Sequence, residues 1–301
     1  MRAADVLLEK APSRRRALSE AAFVFFTVCL PTGGTGAARW VLATMGVALL
    51  AWGLALLRPW KAPRAGAWVG VLGLVVALVA TGAGAWEASG AEPPRGLSLS
   101  MTALCVRAIG MCLLVAGLLW RDGQGPAQVG LVRAGWPRDL LFSVPVLTGT
   151  YAAHLAAAVP LGVLAVALKL TDQELLARKE VASALLGTGL GVPAFAALMV
   201  VVTGFEELVF RGFLVPRLRV LLPHWPAAVL TAAALFAVGH FYEGTLAVFQ
   251  TFVLGAWFGF MLLYRGRLLP LVVAHAAFNT VSFALMLLLS ESGILDKLPS
   301  H

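Results

Sequence analysis

Charge is scarce in this chain. Lys, Arg, Asp and Glu make up 13% of its 301 residues, against 60% hydrophobic ones, where a soluble domain carries roughly 25% charged residues. A surface of that composition cannot face water on all sides, so a soluble globular fold is excluded. Cysteine is also rare. Cys29, Cys105 and Cys112 all fall in apolar runs, with neither disulfide nor metal-ligand spacing, and read as inert helix residues. Missing too is the apolar–polar alternation that the strands of a membrane β-barrel need. There are no internal repeats, no low-complexity linker and no soluble domain.

In their place are hydrophobic runs of about 20 residues, enough to cross a ~30 Å hydrocarbon layer as helix. They lie near 39–57, 66–86, 97–120, 139–168, 187–221, 226–241, 244–264 and 268–289. A further run, Ala21–Leu30, follows the basic Arg14–Arg15–Arg16. It reads as a retained first helix at 17–31 rather than a cleaved signal peptide, because 39–57 supplies a partner and no clear small-x-small cleavage site follows. The expected fold is all-α, a polytopic transmembrane helical bundle of eight or nine helices. Pro145 and Pro160 predict a kink in 139–168, or an interfacial turn before it. Gly187, Gly189, Gly191, Gly255 and Gly259 are expected to let helices approach closely.

The net charge of +8 invites a nucleic-acid partner, but its distribution excludes one. Basic residues cluster between the apolar runs, at Arg14–Arg16, Arg58–Arg64, Arg133–Arg138, Arg217–Arg219 and Arg265–Arg267. Cytoplasmic loops have this pattern under the positive-inside rule. With the N-terminus inside, 58–64, 121–138, 217–225 and 265–267 fall inside, and 87–96, 170–182 and Tyr242–Glu243 fall outside. The excess of Arg over Lys, with abundant Ala and Gly, suggests a GC-rich bacterium and hence its inner membrane. The chain divides into variable N-terminal helices (1–186), a chemical segment (187–289) and a short tail (290–301), together one membrane domain.

Ionisable residues inside a span cost several kcal/mol, so each is a functional candidate. The spans of the N-terminal half have almost none at their centres. The other half has Glu206, Glu207 and Arg211 in GFEELVFRG, His240 in FAVGH, and His275 and Asn279 in HAAFN. Glu207 and Arg211, at i and i+4, share a helix face and form a buried ion pair that holds the helix in place. Glu206 points ~100° away and lacks that partner. His275 and Asn279 share a face, and Phe236 packs one turn before His240. From the turn at Pro223–Pro226, Glu206 lies ~26 Å back and His240 ~22 Å forward at the helical rise of ~1.5 Å per residue. His275 and Asn279 lie ~12 and ~18 Å from the turn at Arg265–Arg267. Four polar side chains from three helices thus reach comparable depth.

These residue types permit acyl transfer to water. A carboxylate without a cationic partner, in a low-dielectric cavity, is suited to act as a general base. His240 can share the water, and His275 and Asn279 can donate hydrogen bonds to an oxyanion. No Ser or Cys stands beside a His, which disfavours a covalent nucleophile. Two histidines and a glutamate (Glu206, His240, His275) can in principle hold zinc. They lack the HExxH spacing, however, and no cofactor is expected.

At these residues the sequence resembles the CPBP family of intramembrane endopeptidases, which includes type II CAAX prenyl proteases and bacteriocin-processing or immunity proteins. The family pattern EExxxR, FxxxH and HxxxN, each on its own transmembrane helix, stands here as Glu206–Arg211, Phe236–His240 and His275–Asn279. The resemblance covers about 187–289. It implies that Glu206 and His240 activate the hydrolytic water, that His275 and Asn279 form the oxyanion site, and that Glu207, Arg211 and Phe236 support them. The substrate would be a membrane-anchored peptide or protein, met in the bilayer. Candidate roles are peptide maturation, immunity, or C-terminal sorting as in the myxosortase-like branch; oligomeric state is not readable.

A different class competes: a non-catalytic scaffold, or a proton-coupled transporter using the same buried residues. The absence of paired broken helices in two matching halves counts against transport. Taken singly, Glu206, His240, His275 and Asn279 could each be interhelical glue. His154, His224 and His301 read as interfacial or terminal. Thr171–Glu180 reads as a solvated loop helix, with a substrate gate as the sharper alternative.

Overall fold

A computed structural model describes residues 6–30, 37–60, 65–90 and 100–292. Among them every regular element is helical. In chain order these are α1 (Arg14–Val28), α2 (Ala37–Leu57), α3 (Ala65–Gly90), α4 (Met101–Arg121), α5 (Trp136–Ala167), α6 (Thr171–Leu186), α7 (Val192–Glu207), α8 (Val215–Leu221), α9 (Trp225–Val238), α10 (Thr245–Arg265) and α11 (Leu269–Glu291). A π-helical stretch, Leu208–Leu214, joins α7 to α8 without a break. Single 3-10 turns stand at Pro126–Val129 and Phe241–Glu243.

Seven helical stretches are long and apolar enough to cross a bilayer: those at 40–57, 65–84, 101–121, 136–167, 192–221, 245–265 and 269–291. The chain is a multi-pass helical membrane protein. Two helices are shorter, α1 with 15 residues and the apolar α9 with 14. The expected first helix is therefore built into the fold. Its Phe23 and Val24 are buried in the main core beside Leu114, Val115 and Leu218. Arg107 of α4 reaches the carbonyls of Thr27 and Val28 at its far end.

Close backbone approach fixes the pairing of neighbours, as expected where apolar burial alone gives no drive in lipid. A Cβ on Gly117 or Gly110 would strike the backbone of α3, and one on Gly259 would strike Val229 of α9. Gly255 and Gly259 thus do what was expected of them. Gly187, Gly189 and Gly191 do not: they lie between α6 and α7, and Gly189 adopts φ +66° with open space around it, a turn position. α5 runs continuously over 32 residues with Pro145 and Pro160 inside it, and the turn at Pro126–Val129 precedes it.

The basic loops are tied to one another at one end of the bundle. Arg265 and Arg267 of the α10–α11 loop pair with Asp139 of α5 at 3.2 and 3.6 Å. Leu268 N donates to Gly130 O, and Lys10 Nζ to Gly123 O. Arg217 of α8 is buried and pairs with Glu20 of α1 at 3.2 Å, while its Nη2 donates to Gln124 at 2.7 Å.

Candidate active site

The site forms where α7 gives way to the π-helical stretch. Glu207 closes α7 and is fully buried; Arg211 lies in the wider turn that follows and is 1% exposed. Their ion pair measures 3.0 Å (Arg211 Nη1 to Glu207 Oε1), as the i, i+4 spacing predicted. Arg211 stacks over Phe236 of α9 at 4.2 Å and reaches Phe258 of α10 at 5.6 Å. A guanidinium held between aromatic faces keeps its charge without water. π-helical turns within helices are often found at functional sites.

Sequence reasoning gave Glu207 a supporting role only, and the structure adds a second. Its Oε1 also accepts a hydrogen bond from His275 Nδ1 at 2.9 Å. A carboxylate cannot donate, so Nδ1 carries the proton and the other ring nitrogen faces outward. That nitrogen, Nε2, stands 3.9 Å from Glu206 Oε2. His275 is thereby set between two consecutive carboxylates, one binding it directly and one across a gap that a single water can bridge. Glu206 is 17% exposed where Glu207 is sealed. Its lack of an arginine partner, inferred from helical rotation, is what the geometry gives.

His240 is not on the helix expected to carry it. α9 ends at Val238, with Gly239 after it and His240 opening the turn Phe241–Glu243. The i, i+4 relation to Phe236 survives the break. His240 Nδ1 lies 2.9 Å from Phe236 O; a carbonyl only accepts, so Nδ1–H donates and Nε2 is left as the basic nitrogen. The Phe236 ring packs 4.5 Å from that of His240 and 6.3 Å from that of His275, so it forms a wall common to both. His275 also stacks on Phe258 at 5.1 Å.

Asn279 follows His275 by one turn of α11. Its Nδ2 meets only Met199 Sδ of α7, at 3.8 Å, a weak contact that leaves the amide available. Beyond it Phe195 and Phe283 stack at 3.9 Å and zip α7 to α11. Among the described residues no three His, Cys, Asp or Glu side chains gather in an arrangement that could hold a metal ion.

Two features escaped the sequence reading. The α6 segment is not simply a solvated helix. Glu174 is buried, and its Oε1 accepts from Leu246 N at 3.1 Å, a negative charge at the amino end of α10 where the helix dipole favours it. Arg178 Nη2 donates to Gln250 of α10 at 2.6 Å. The amphipathic pattern of α6 was visible, but no local spacing points from 174 to 246. His154 packs edge-on against Phe278 at 5.4 Å. His224 is exposed at the start of α9, and His301 lies outside the described residues.

Fold and site together define a polytopic membrane protein whose carboxylates and imidazoles are gathered within the helical bundle. Residues 188–281 match the family model of type II CAAX prenyl endopeptidases, Rce1-like. The match spans all of Glu206, Glu207, Arg211, Phe236, His240, His275 and Asn279, and agrees with the resemblance read from the three motifs. This segment, about a third of the chain, is thus similar to the intramembrane CAAX-type endopeptidases. No curated protein and no solved structure matches the chain.

Proposed function

We propose that the protein hydrolyses a peptide bond of a membrane-associated peptide or protein, with Glu206 as general base. The observation that carries this reading is the placement of His275 between Glu207 at 2.9 Å and Glu206 at 3.9 Å. Glu206 Oε2 takes a proton from a water that touches it, and the oxygen attacks the scissile carbonyl carbon. His240, its Nδ1–H fixed on Phe236 O, accepts the second hydrogen of that water at Nε2 and orients it. The new oxyanion accepts a hydrogen bond from Asn279 Nδ2–H, with His275, its Nδ1–H kept on Glu207, one turn away on α11. As the tetrahedral species collapses, the C–N bond breaks. The nitrogen takes the proton that Glu206 holds, and the base is restored.

Every step uses side chains of this chain. The mechanism read here is glutamate-type and metal-free, and on that reading activity should survive chelation by o-phenanthroline. In a bacterial inner membrane, peptide maturation, immunity and C-terminal sorting are the roles that fit. The test is comparative proteomics of peptide termini in membranes from cells carrying the parent protein or Glu206→Gln. Termini that vanish with the variant, at equal protein levels, are the expected result. An unchanged set of termini overturns the assignment, and would favour a scaffold or a proton carrier.

A further inference from the structure

His240 stands outside the regular helices, on a turn that has to be held in place from both sides. On the α9 side the hold is direct: His240 N donates to Ala237 O and Nδ1–H to Phe236 O, both at 2.9 Å. On the α10 side a short hydrogen-bonded run continues from it. Glu243 N donates to His240 O at 3.0 Å, Gly244 N to Phe241 O at 3.2 Å, and Val248 N of α10 to Gly244 O at 3.3 Å. The backbone from His240 to the first turn of α10 is thus one hydrogen-bonded unit. A helix normally anchors such an entry with the side chain of its own N-cap residue, which accepts from the second or third amide. α10 has no such side chain, because its N-cap is Gly244, at φ +112°. Glu174 of α6 fills the role instead, across 72 positions. It is buried, and its Oε1 accepts from Leu246 N, the second amide of α10, at 3.1 Å. The carboxylate also occupies the space a side chain would need: a Cβ on Gly244 would stand 2.5 Å from Glu174 Oε2. One turn further along both helices, Arg178 Nη2 donates to Gln250 Oε1 at 2.6 Å. α6 therefore grips α10 at two successive turns, and it packs against the turn Phe241–Glu243 as well.

We propose that Glu174 is a positioning residue of the hydrolytic site: by capping α10 from α6 it fixes the turn that carries His240 against the helix that backs His275. That helix is α10 itself, whose Phe258 stacks on the His275 ring at 5.1 Å. With the cap gone, the first amides of α10 lose their acceptor, and Gly244, the most permissive residue for backbone rotation, becomes a free joint beside His240. A shift of about 1 Å in a catalytic group can cost about 10²-fold in rate, so a loose turn is enough to silence His240 without unfolding the protein. Glu174 touches no reacting atom; its effect passes through the turn. The role rests on the hydrolytic reading, in which His240 orients the attacking water.

The test compares Glu174→Ala, Glu174→Gln and Gln124→Leu in the full chain. Amide hydrogen exchange over 239–250 is read by mass spectrometry on protein in nanodiscs. Activity is read in membranes as the rate, per folded molecule, at which the peptide termini that depend on Glu206 appear. Glu174→Ala should speed exchange over 239–250 by about tenfold and lower the rate by about 10–100-fold. Glu174→Gln keeps an acceptor for Leu246 N and should stay within about threefold of the parent in both measurements. Gln124→Leu, which destabilises the fold at Arg217, should move neither. If Glu174→Ala does not fold, Arg178→Ala decides: it releases only the second grip and should show both changes at about threefold. Unchanged exchange over 239–250 overturns the cap. Faster exchange with an unchanged rate, or equal losses in the Ala and Gln variants, overturns the positioning role. If no terminus depends on Glu206, the hydrolytic reading falls, and the hold of Glu174 on the turn stands or falls by exchange alone.

Discussion

Two buried arginine–glutamate pairs stand in this molecule, and they are close copies as pairs. Arg211–Glu207 measures 3.0 Å and Arg217–Glu20 3.2 Å; each arginine is 1% exposed and each glutamate fully buried. Their neighbours differ. Around Arg217 the remaining contacts are structural: Gln124 accepts from it, and Arg16 of the same α1 pairs with Glu20 at 2.7 Å. Around Glu207 stands an imidazole with one edge free, and beyond it a second carboxylate that is not sealed. A buried ion pair is thus no mark of catalysis by itself. What distinguishes the site is capacity left unused: an Nε2 held only loosely, a Glu206 without an arginine partner and an amide that meets only sulfur.

Substitutions can break that comparison. The largest effect is expected for Glu206→Gln, which should lower cleavage by about 10²–10⁴-fold while the thermal unfolding of detergent-purified protein stays where it was. Loss of folded protein instead would make Glu206 a structural group like Glu20. Next come Glu207→Gln and Glu20→Gln. Each leaves a buried guanidinium uncompensated and should cost about 3–5 kcal/mol of stability, read as denaturant or thermal midpoints. Only Glu207→Gln should also lower turnover per folded molecule, since only it releases His275. Equal turnover in the two variants would remove the distinction drawn between the pairs. Gln124→Leu should cost about 1–3 kcal/mol through the lost acceptor on Arg217, with turnover unaffected.

The smallest effect is one of pH. Asp122, just past α4, has its carboxyl pushed up from 3.8 to about 6, by burial first and then by Glu20, against the pull of Arg16. The fold therefore disfavours the Asp122 carboxylate. That penalty is absent near pH 4, grows as pH rises towards 6 and is complete above it. Asp122→Asn should raise the unfolding temperature at pH 7.5 and change it little at pH 4. A gain independent of pH would show that Asp122 does not titrate in this way.

The same two pairs mark how far the sequence could be read. Glu207–Arg211 was legible because four residues on a helix impose contact. Glu20–Arg217 was not, because 197 positions separate the partners and only packing of α1 on α8 joins them. The link from Glu207 to His275 was hidden for the same reason, although both residues had been singled out. The helical class and the multi-pass architecture needed only hydropathy, which acts segment by segment. Helix ends were less legible: the end of α9 before His240 depends on Gly239 and the turn after it, and the docking of α6 on a capping interaction from 174 to 246.

Two helices of this bundle are too short for the layer they sit in. At ~1.5 Å per residue, α1 and α9 are ~21–23 Å long against a hydrocarbon layer of ~30 Å, and a helix end that stops inside lipid leaves carbonyls without a partner. α1 resolves this dryly, with the guanidinium of Arg107 against the carbonyls of Thr27 and Val28. α9 has only the imidazole of His240 at its end, one N–H on one carbonyl, and leaves the turn after it with Phe241 and Tyr242 exposed. Such a backbone end has to be hydrated. The turn that carries His240 is then the place where, on the proposed reading, water reaches that imidazole.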